Sequence, residues 1–273
     1  MTPPELLTER SARVVAAVKL HRQTARRRAA RFLAEGPNLV EAALRRGLVS
    51  EVYATEAAAQ RFAELLAGTP ADVGVRLVTE RAAKALSDTV TPVGLVAVCR
   101  MPQTTLADVL AAAPRLVAVG VQIGEPGNAG TLIRTADAMG ADAVVLAGAG
   151  VDPYNSKCLR ASAGAIFTIP VVAGPDPVET VGRLQASGLQ VLATTLDGEI
   201  SLDSAESHVN LDRPTAWLFG GEAHGLPPEV AAAADHRVHI PMAGRTESLN
   251  VAAAAAICLY QSARAARSAD HPA

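Results

Sequence analysis

A chain of 273 residues, 49% hydrophobic and 19% charged, has the apolar material for a packed core and the length for two domains rather than one. That composition excludes disorder as the main state, and every long apolar run is interrupted by a charge or a breaker, which argues against a membrane span. The net charge of −2 hides an asymmetry: residues 1–50 carry +6, the remainder −8, and Lys19 to Arg31 holds six basic residues and no acid, the electrostatic footprint of a polyanion site.

The opening MTPPELLTER lacks the apolar core of a secretory signal. Cys99, Cys158 and Cys258 are odd in number and far apart, so a reducing, cytoplasmic location is expected, with no disulfide framework and no zinc site. No metal is expected.

In chain order, residues 5–20 read as a helix and RFLAEG (31–36) as a short strand, after which Pro37 opens a helix that runs to Arg46 and stops at Gly47. EVYAT (51–55), VRLVT (75–79) and GLVAVC (94–99) read as strands, with helices at 57–67 and 80–87 between them. This is a small α/β domain over 1–100. The segment 101–114, with two prolines, breaks the rhythm and reads as a linker, part of it helical. From 115 to 273 the alternation resumes. Strands are expected at 115–120, 142–147, 167–172, 189–194, 215–220 and 237–241, and helices at 128–139, 156–163, 177–187, 227–234 and 247–266. Near-continuous apolar strands are buried on both faces, so this second sheet is expected to be mostly parallel.

In such sheets ligands lie beyond the carboxyl ends of the strands. The glycines of GVQIGEPGNAG are spaced wrongly for a dinucleotide fingerprint, and neither a P-loop nor a G-x-S-x-G elbow is present. His236 and His239 fall on opposite faces of their strand, which argues against a metal site. Three segments stand out. In GEPGNAGTLIRTADAMG (124–140), Asn128 precedes a helix that it can cap, and Arg134 follows six residues on; taken alone, a capped amphipathic helix accounts for it. In LFGGEAHGLPPEV (218–230), glycines at a strand end admit close backbone approach around Glu222, and an ordinary tight turn is the other reading. In IPMAGRTESLNVAAAAAICLY (240–260), Ser248 or Glu247 can cap a helix that is apolar nearly all round, with Asn250 in its first turn.

Together and in this order, the three segments resemble the SpoU/TrmH family of the SPOUT superfamily, S-adenosylmethionine-dependent RNA ribose 2′-O-methyltransferases. RASAGAIFTIPV (160–171) also matches the family pattern. The resemblance covers 115–266, and the first region resembles the α/β RNA-binding domain that precedes the catalytic domain in many members. It implies an α/β knot, a mostly parallel sheet with its cofactor loops in a trefoil knot, and a homodimer in which the Ala-rich last helix is an interface. It implies catalysis by Arg134 with Asn128, Glu222, Ser248 and Asn250, the last three fixing the loops and Arg134 by hydrogen bonds. It implies that S-adenosylmethionine is held by ATTLDG (193–198), with Thr194, Thr195 and Leu196, and by Gly220, Ile240, Met242 and Leu249.

The basic stretch then gains a role. Arg26, Arg27, Arg28 and Arg31, with Arg160, are expected to contact RNA phosphates, affinity without sequence choice. Large-subunit ribosomal RNA is the expected substrate, because the N-terminal domain resembles that of rRNA-modifying members, resistance methyltransferases among them; transfer RNA is the alternative. An RNA-binding protein without catalysis is disfavoured by the five site residues occurring together, and an oxidoreductase by the missing glycine fingerprint. A base methyltransferase acting through cysteine is disfavoured because Cys158 and Cys258 fall in helices.

Overall fold

The computed structural model describes residues 6–222 and 224–270. Glu5, where the first expected helix begins, and Ala223, within the second motif, lie outside the described residues. The chain divides into two compact units, one formed by residues up to Gln103 together with Tyr154–Phe167, the other by Thr104–Pro153 and the residues from Thr168 onward.

The strands of the first unit are β1 (Arg31–Glu35), β2 (Val49–Ala54), β3 (Gly74–Leu77) and β4 (Leu95–Arg100), lying in the order β1-β4-β2-β3. β4 is antiparallel to both its neighbours, and β3 runs parallel to β2. The helix Pro37–Arg45 starts with proline in its first turn and buries Leu39, Val40 and Ala43. The expected helix at 57–67 is two helices, Glu56–Arg61 and Ala63–Ala67, because Phe62 turns out of helical geometry at ψ 32°. The expected helix at 5–20 contracts to Ala12–Val18, and Leu7 instead pairs with Val78 alongside the sheet.

The basic stretch does not lead straight into a strand. A tight turn over Lys19–His21 is followed by the helix Gln23–Ala29. Arginine is a good helix former, and three of them dominate the last turn. The returning segment carries the helix Ser156–Ser162, and Phe32 packs on Tyr154 and Phe167 with ring centroids 4.7 and 6.1 Å apart.

The segment expected as a linker holds the helix Leu106–Ala111, closed at its start by a reciprocal cap between Thr105 and Asp108. Leu106 and Val109 enter the core of the second unit, so this stretch is part of that unit's fabric. The strands that follow are β5 (Leu116–Val121), β6 (Ala143–Ala147), β7 (Val171–Ala173), β8 (Gln190–Thr194), β9 (Ile200–Ser201), β10 (Thr215–Gly220) and β11 (His236–His239). Their order is β7-β6-β5-β10-β8-β11-β9, and every pairing is parallel. β5 and β6 are buried along their whole length, as strands covered on both faces must be. The strand expected at 167–172 starts late, since Ala165–Phe167 is a tight turn within the first unit and Pro170 precedes Val171.

The chain passes from β5 outward through β6 to β7, and β10 later inserts between β5 and β8. That reversal opens a crevice at the carboxyl ends of β5, β8 and β10, where parallel sheets bind ligands. The last helix, Val251–Asp270, packs against β10, where Trp217 Nε1 donates to Ser262 Oγ at 2.9 Å. It is not buried all round. Val251, Ala255, Cys258, Leu259 and Ser262 form the inner face, while Ile257 and Tyr260 are exposed.

Candidate functional site

The end of β5 opens the site. The next residue, Gln122, takes a left-handed backbone at φ 52°, and the helix Pro126–Ala138 then begins with Glu125 at its N-cap. Asn128 is therefore inside the first turn, not ahead of it, and does not cap the helix. Its amide looks outward. Nδ2 donates to Glu222 Oε1 at 2.6 Å, and Oδ1 accepts from Asn250 Nδ2 at 3.0 Å. An amide fits between these partners because it offers a donor to a carboxylate and an acceptor to a second amide at once.

Glu222 follows β10 in a turn made possible by glycine. A Cβ on Gly220 would collide with the Gly225 carbonyl carbon, and one on Gly221 would meet the Gln122 carbonyl oxygen at 2.7 Å. Side chains at either position would part the turn from the strands, which explains the Gly-Gly pair. Asn250 is the true cap of the final helix: its Oδ1 accepts from Ala252 N at 2.9 Å, and neither Glu247 nor Ser248 takes that role because the helix begins later than expected.

Three chain segments far apart in sequence thus meet in one row, Glu222–Asn128–Asn250. Arg134 and Ser248 stay outside it. Arg134 lies about 9 Å along the helix from Asn128 and about 120° around it. It is exposed and makes no hydrogen bond or ion pair among the described residues. The expectation that the other site residues fix Arg134 by hydrogen bonds is corrected: the row holds the loops, and the guanidinium is left to face solvent. Ser248 is likewise exposed, in a segment (241–250) exposed throughout.

The expected cofactor residues lie at or just beyond the carboxyl ends of β8, β10 and β11, except Leu249, which stands just ahead of the last helix. Thr194 Oγ1 donates to Leu218 O at 2.7 Å, and Thr195 N donates to Val238 O at 3.0 Å, joining the strand ends. Gly220 ends β10, and Ile240 is half-buried just after β11. Leu196, Met242 and Leu249 are exposed, Leu196 by 68%. Exposed apolar side chains on loops beyond strand ends are what an adenine-bearing ligand would cover, so these residues fit S-adenosylmethionine.

A clamp that the sequence reading missed holds the first of these loops. Arg237, on β11, donates from Nε to Glu199 Oε2 at 3.0 Å and from Nη1 to Asp197 Oδ2 at 3.2 Å, while its backbone N–H donates to Glu199 Oε1 at 2.9 Å. His239 bonds the Gly198 carbonyl at 2.8 Å. Neighbouring Thr195, the backbone N–H of Asp197 itself and the Arg237 guanidinium hold the Asp197 carboxyl below the usual range. The Arg237 backbone N–H leads the groups that do the same for Glu199. The signal in sequence was Asp-Gly-Glu before a strand with a single arginine, a pattern too common to single out.

In the first unit, Arg26 departs from its expected role. It is 4% exposed, and Nη1 donates to the carbonyls of Leu20 and His21, each at 2.9 Å. It ties the turn over Lys19–His21 to the next helix and is not offered to a phosphate. Arg27, Arg28 and Arg31 are exposed. Arg31 stands directly across from Arg100 on β4, a pairing of like charges that a bound anion would relieve. Arg160 lies 4.0 Å from Asp88.

Among the described residues, no cluster of three or more His, Cys, Asp or Glu side chains could hold a metal ion. No helix among them is long and apolar enough to cross a membrane.

Residues 115–260 match the SpoU rRNA Methylase family, and residues 12–97 match the MRM3-like substrate binding domain. The chain is 36% identical over 245 residues to the 23S rRNA (guanosine(2553)-2′-O)-methyltransferase RlmP of Bacillus subtilis, covering 89% of this chain and 92% of that protein. It resembles the AdoMet-bound rRNA methyltransferase of Sinorhizobium meliloti with a TM-score of 0.81 and 28% identity, over 95% of this chain and 97% of the other. It also resembles the SpoU methyltransferase AviRb of Streptomyces viridochromogenes in complex with AdoMet, with a TM-score of 0.80 and 29% identity, over 93% and 98% of the two chains.

Proposed function

Because the chain belongs to the SpoU rRNA Methylase family and is an RNA ribose 2′-O-methyltransferase that uses S-adenosylmethionine, we propose that its substrate is large-subunit ribosomal RNA and that Arg134, Asn128, Glu222, Ser248 and Asn250 carry the transfer. The Bacillus relative is named for a guanosine of 23S rRNA, which supports ribosomal over transfer RNA and a cytoplasmic place of work. The observation that carries the site assignment is the meeting of Asn128, Glu222 and Asn250, with the exposed Leu249 next to Asn250 in the chain.

When bound, S-adenosylmethionine supplies an electrophilic methyl group on a positively charged sulfur. The chain's part is alignment, exclusion of water and charge. Leu196, Met242 and Leu249 wall the cofactor and keep solvent out, and Thr194 and Thr195 fix the strand ends beneath them. The row Glu222–Asn128–Asn250 holds three chain segments in register and would thereby fix where the ribose hydroxyl sits relative to a bound methyl donor. Alignment of this kind supplies several kcal/mol, up to about 7–11. Arg134 acts as a charged positioning group rather than as a base, a role that its planar, forked guanidinium suits. It grips the target phosphate and stabilises the negative charge that grows on the ribose oxygen. Arg27, Arg28 and Arg31 hold the RNA backbone without reading its sequence.

Homodimerisation through the outer face of the last helix completes the proposal: Ile257 and Tyr260 are exposed there by 38% and 51%. The test is a map of 2′-O-methyl positions in RNA from cells with and without the gene. One large-subunit position losing its methyl in the deletion, and regaining it in vitro with purified protein and S-adenosylmethionine, is the expected result. Loss only from transfer RNA overturns the substrate, and no loss anywhere overturns the function.

A further inference from the structure

The first unit holds a cavity of about 210 Å³, lined by β1, the helix Gln23–Ala29, the loop that begins at Ser87 and the helix Ser156–Ser162. Drug-sized ligands occupy about 300–1,000 Å³, so this space suits a single planar ring system. Its apolar walls include Leu33, Leu39 and Leu86.

Several polar groups around it are already committed. Arg26 is tied to two backbone carbonyls. Glu35 accepts from Thr89 Oγ1 at 2.8 Å, from Asp88 N at 3.3 Å and from the Ser87 hydroxyl, which fixes the loop that carries Asp88. Asp88 Oδ2 accepts from the Ser156 hydroxyl and faces Arg160. Asn155 Oδ1 accepts from Lys157 N at 2.9 Å. What remains is a carboxylate oxygen, Asp88 Oδ1, and an amide NH₂, Asn155 Nδ2. Neither has a hydrogen bond among the described residues. Both residues line the cavity, with the Asp88 side chain partly open to solvent at its mouth, and they are close, because Ser156 follows Asn155 and bonds Asp88.

We propose that this cavity takes one unpaired guanine base of the RNA substrate, with Asp88 accepting from its Watson–Crick edge and Asn155 donating to it. Proteins read single-stranded RNA by splaying bases out and bonding those edges. A carboxylate only accepts, so it favours a base with adjacent donors. Guanine alone among the four sets two neighbouring N–H donors beside an acceptor oxygen. The exposed Arg27 and Arg28, on the helix whose Arg26 lines the cavity, stand where they can hold the flanking phosphates. This gives the substrate-binding unit a sequence preference that its arginines cannot provide. The inference rests on the reading of RNA as substrate.

The test uses the full chain and the four nucleoside 5′-monophosphates, followed by calorimetry or ligand-observed NMR. Guanosine monophosphate binds best. Asp88→Asn weakens it by about tenfold, the scale of a hydrogen bond to a charged group, and Asn155→Asp, which keeps the helix cap and loses the donor, does the same. On the methylated RNA both variants raise KM and leave kcat and S-adenosylmethionine affinity near wild type. Equal binding of all four monophosphates, or an unchanged KM in both folded variants, overturns the guanine site while methyl transfer by the wild-type protein persists. Absence of methyl transfer by the wild-type protein instead strikes the functional reading, and the monophosphate titration still decides the cavity.

Discussion

Asn128 donates to Glu222, 94 positions on in the chain, at 2.6 Å, and its other amide atom accepts from Asn250, 122 positions on. One side chain therefore fastens the loop after β10 and the cap of the last helix to the first turn of the helix Pro126–Ala138. Asn128→Ala removes both bonds. Turnover is expected to fall by at least tenfold, with stability lowered by about 1–2 kcal/mol, since two partners lose a bond at a partly solvated site. Single-turnover kinetics with a parallel thermal melt checks this.

Arg134 has no partner to lose among the described residues. Arg134→Ala is expected to leave the melting temperature nearly unchanged, within about 0.5 kcal/mol of stability, and to lower kcat by about a hundredfold or more. Arg134→Lys keeps the charge and loses the planar fork. Turnover near wild type in that variant would refute paired gripping of a phosphate by this residue.

The arginines of the basic helix separate by burial. Arg26→Gln strands the carbonyls of Leu20 and His21 and is expected to cost about 1–3 kcal/mol in a denaturant melt. Replacing Arg27, Arg28 and Arg31 together by Gln leaves the melt alone. It weakens RNA binding and flattens the slope of log affinity against log salt by about 0.7–0.9 for each phosphate that is no longer neutralised.

Acid is expected to loosen the loop between β8 and β9. The folded protein holds the Asp197 and Glu199 carboxyls below their ordinary ranges. The unfolded chain therefore takes up protons first as pH falls, and the clamp's contribution, complete above the ordinary carboxylate range, disappears as pH drops through the lowered folded values. Arg237→Met should melt earlier than wild type near neutrality, and the two curves should converge in acid, once pH has fallen through the lowered folded values. A constant difference across the range would refute the clamp.

The proposed dimer predicts that wild type sediments as a dimer and that Tyr260→Asp or Ile257→Asp, on the exposed face of the last helix, sediments as a monomer. Unchanged sedimentation in both variants would place any dimer interface elsewhere.

Much of the fold is legible in the sequence. Strands such as TAWLFG and the near-continuous apolar runs around it announce a buried parallel sheet, and Asn128, Glu222 and Asn250 are marked by lying beyond strand ends. Tertiary contacts set what local pattern could not. Asn128 resembles a cap because capping is the commonest local use of asparagine, yet its partners come from distant loops. Arg26 looks like its neighbours in the run of three arginines it begins, but its position on the helix turns it inward. The clamp of Arg237 with Asp197 and Glu199, and the open edge of Asp88 and Asn155, depend on chain crossings that no spacing rule records.

The return of Tyr154–Phe167 to the first unit has a consequence for biosynthesis. Phe32, on β1, is fully buried against aromatic rings that are translated more than a hundred residues later. As the nascent chain leaves the ribosome, the amino-terminal sheet emerges complete in its strands but bare on this side, and it stays unsealed until Thr104–Pro153, the opening part of the other unit, has been made. Maturation of the two halves is coupled in time, and a fragment that stops at Gln103 carries an open aromatic seam into the crowded cell.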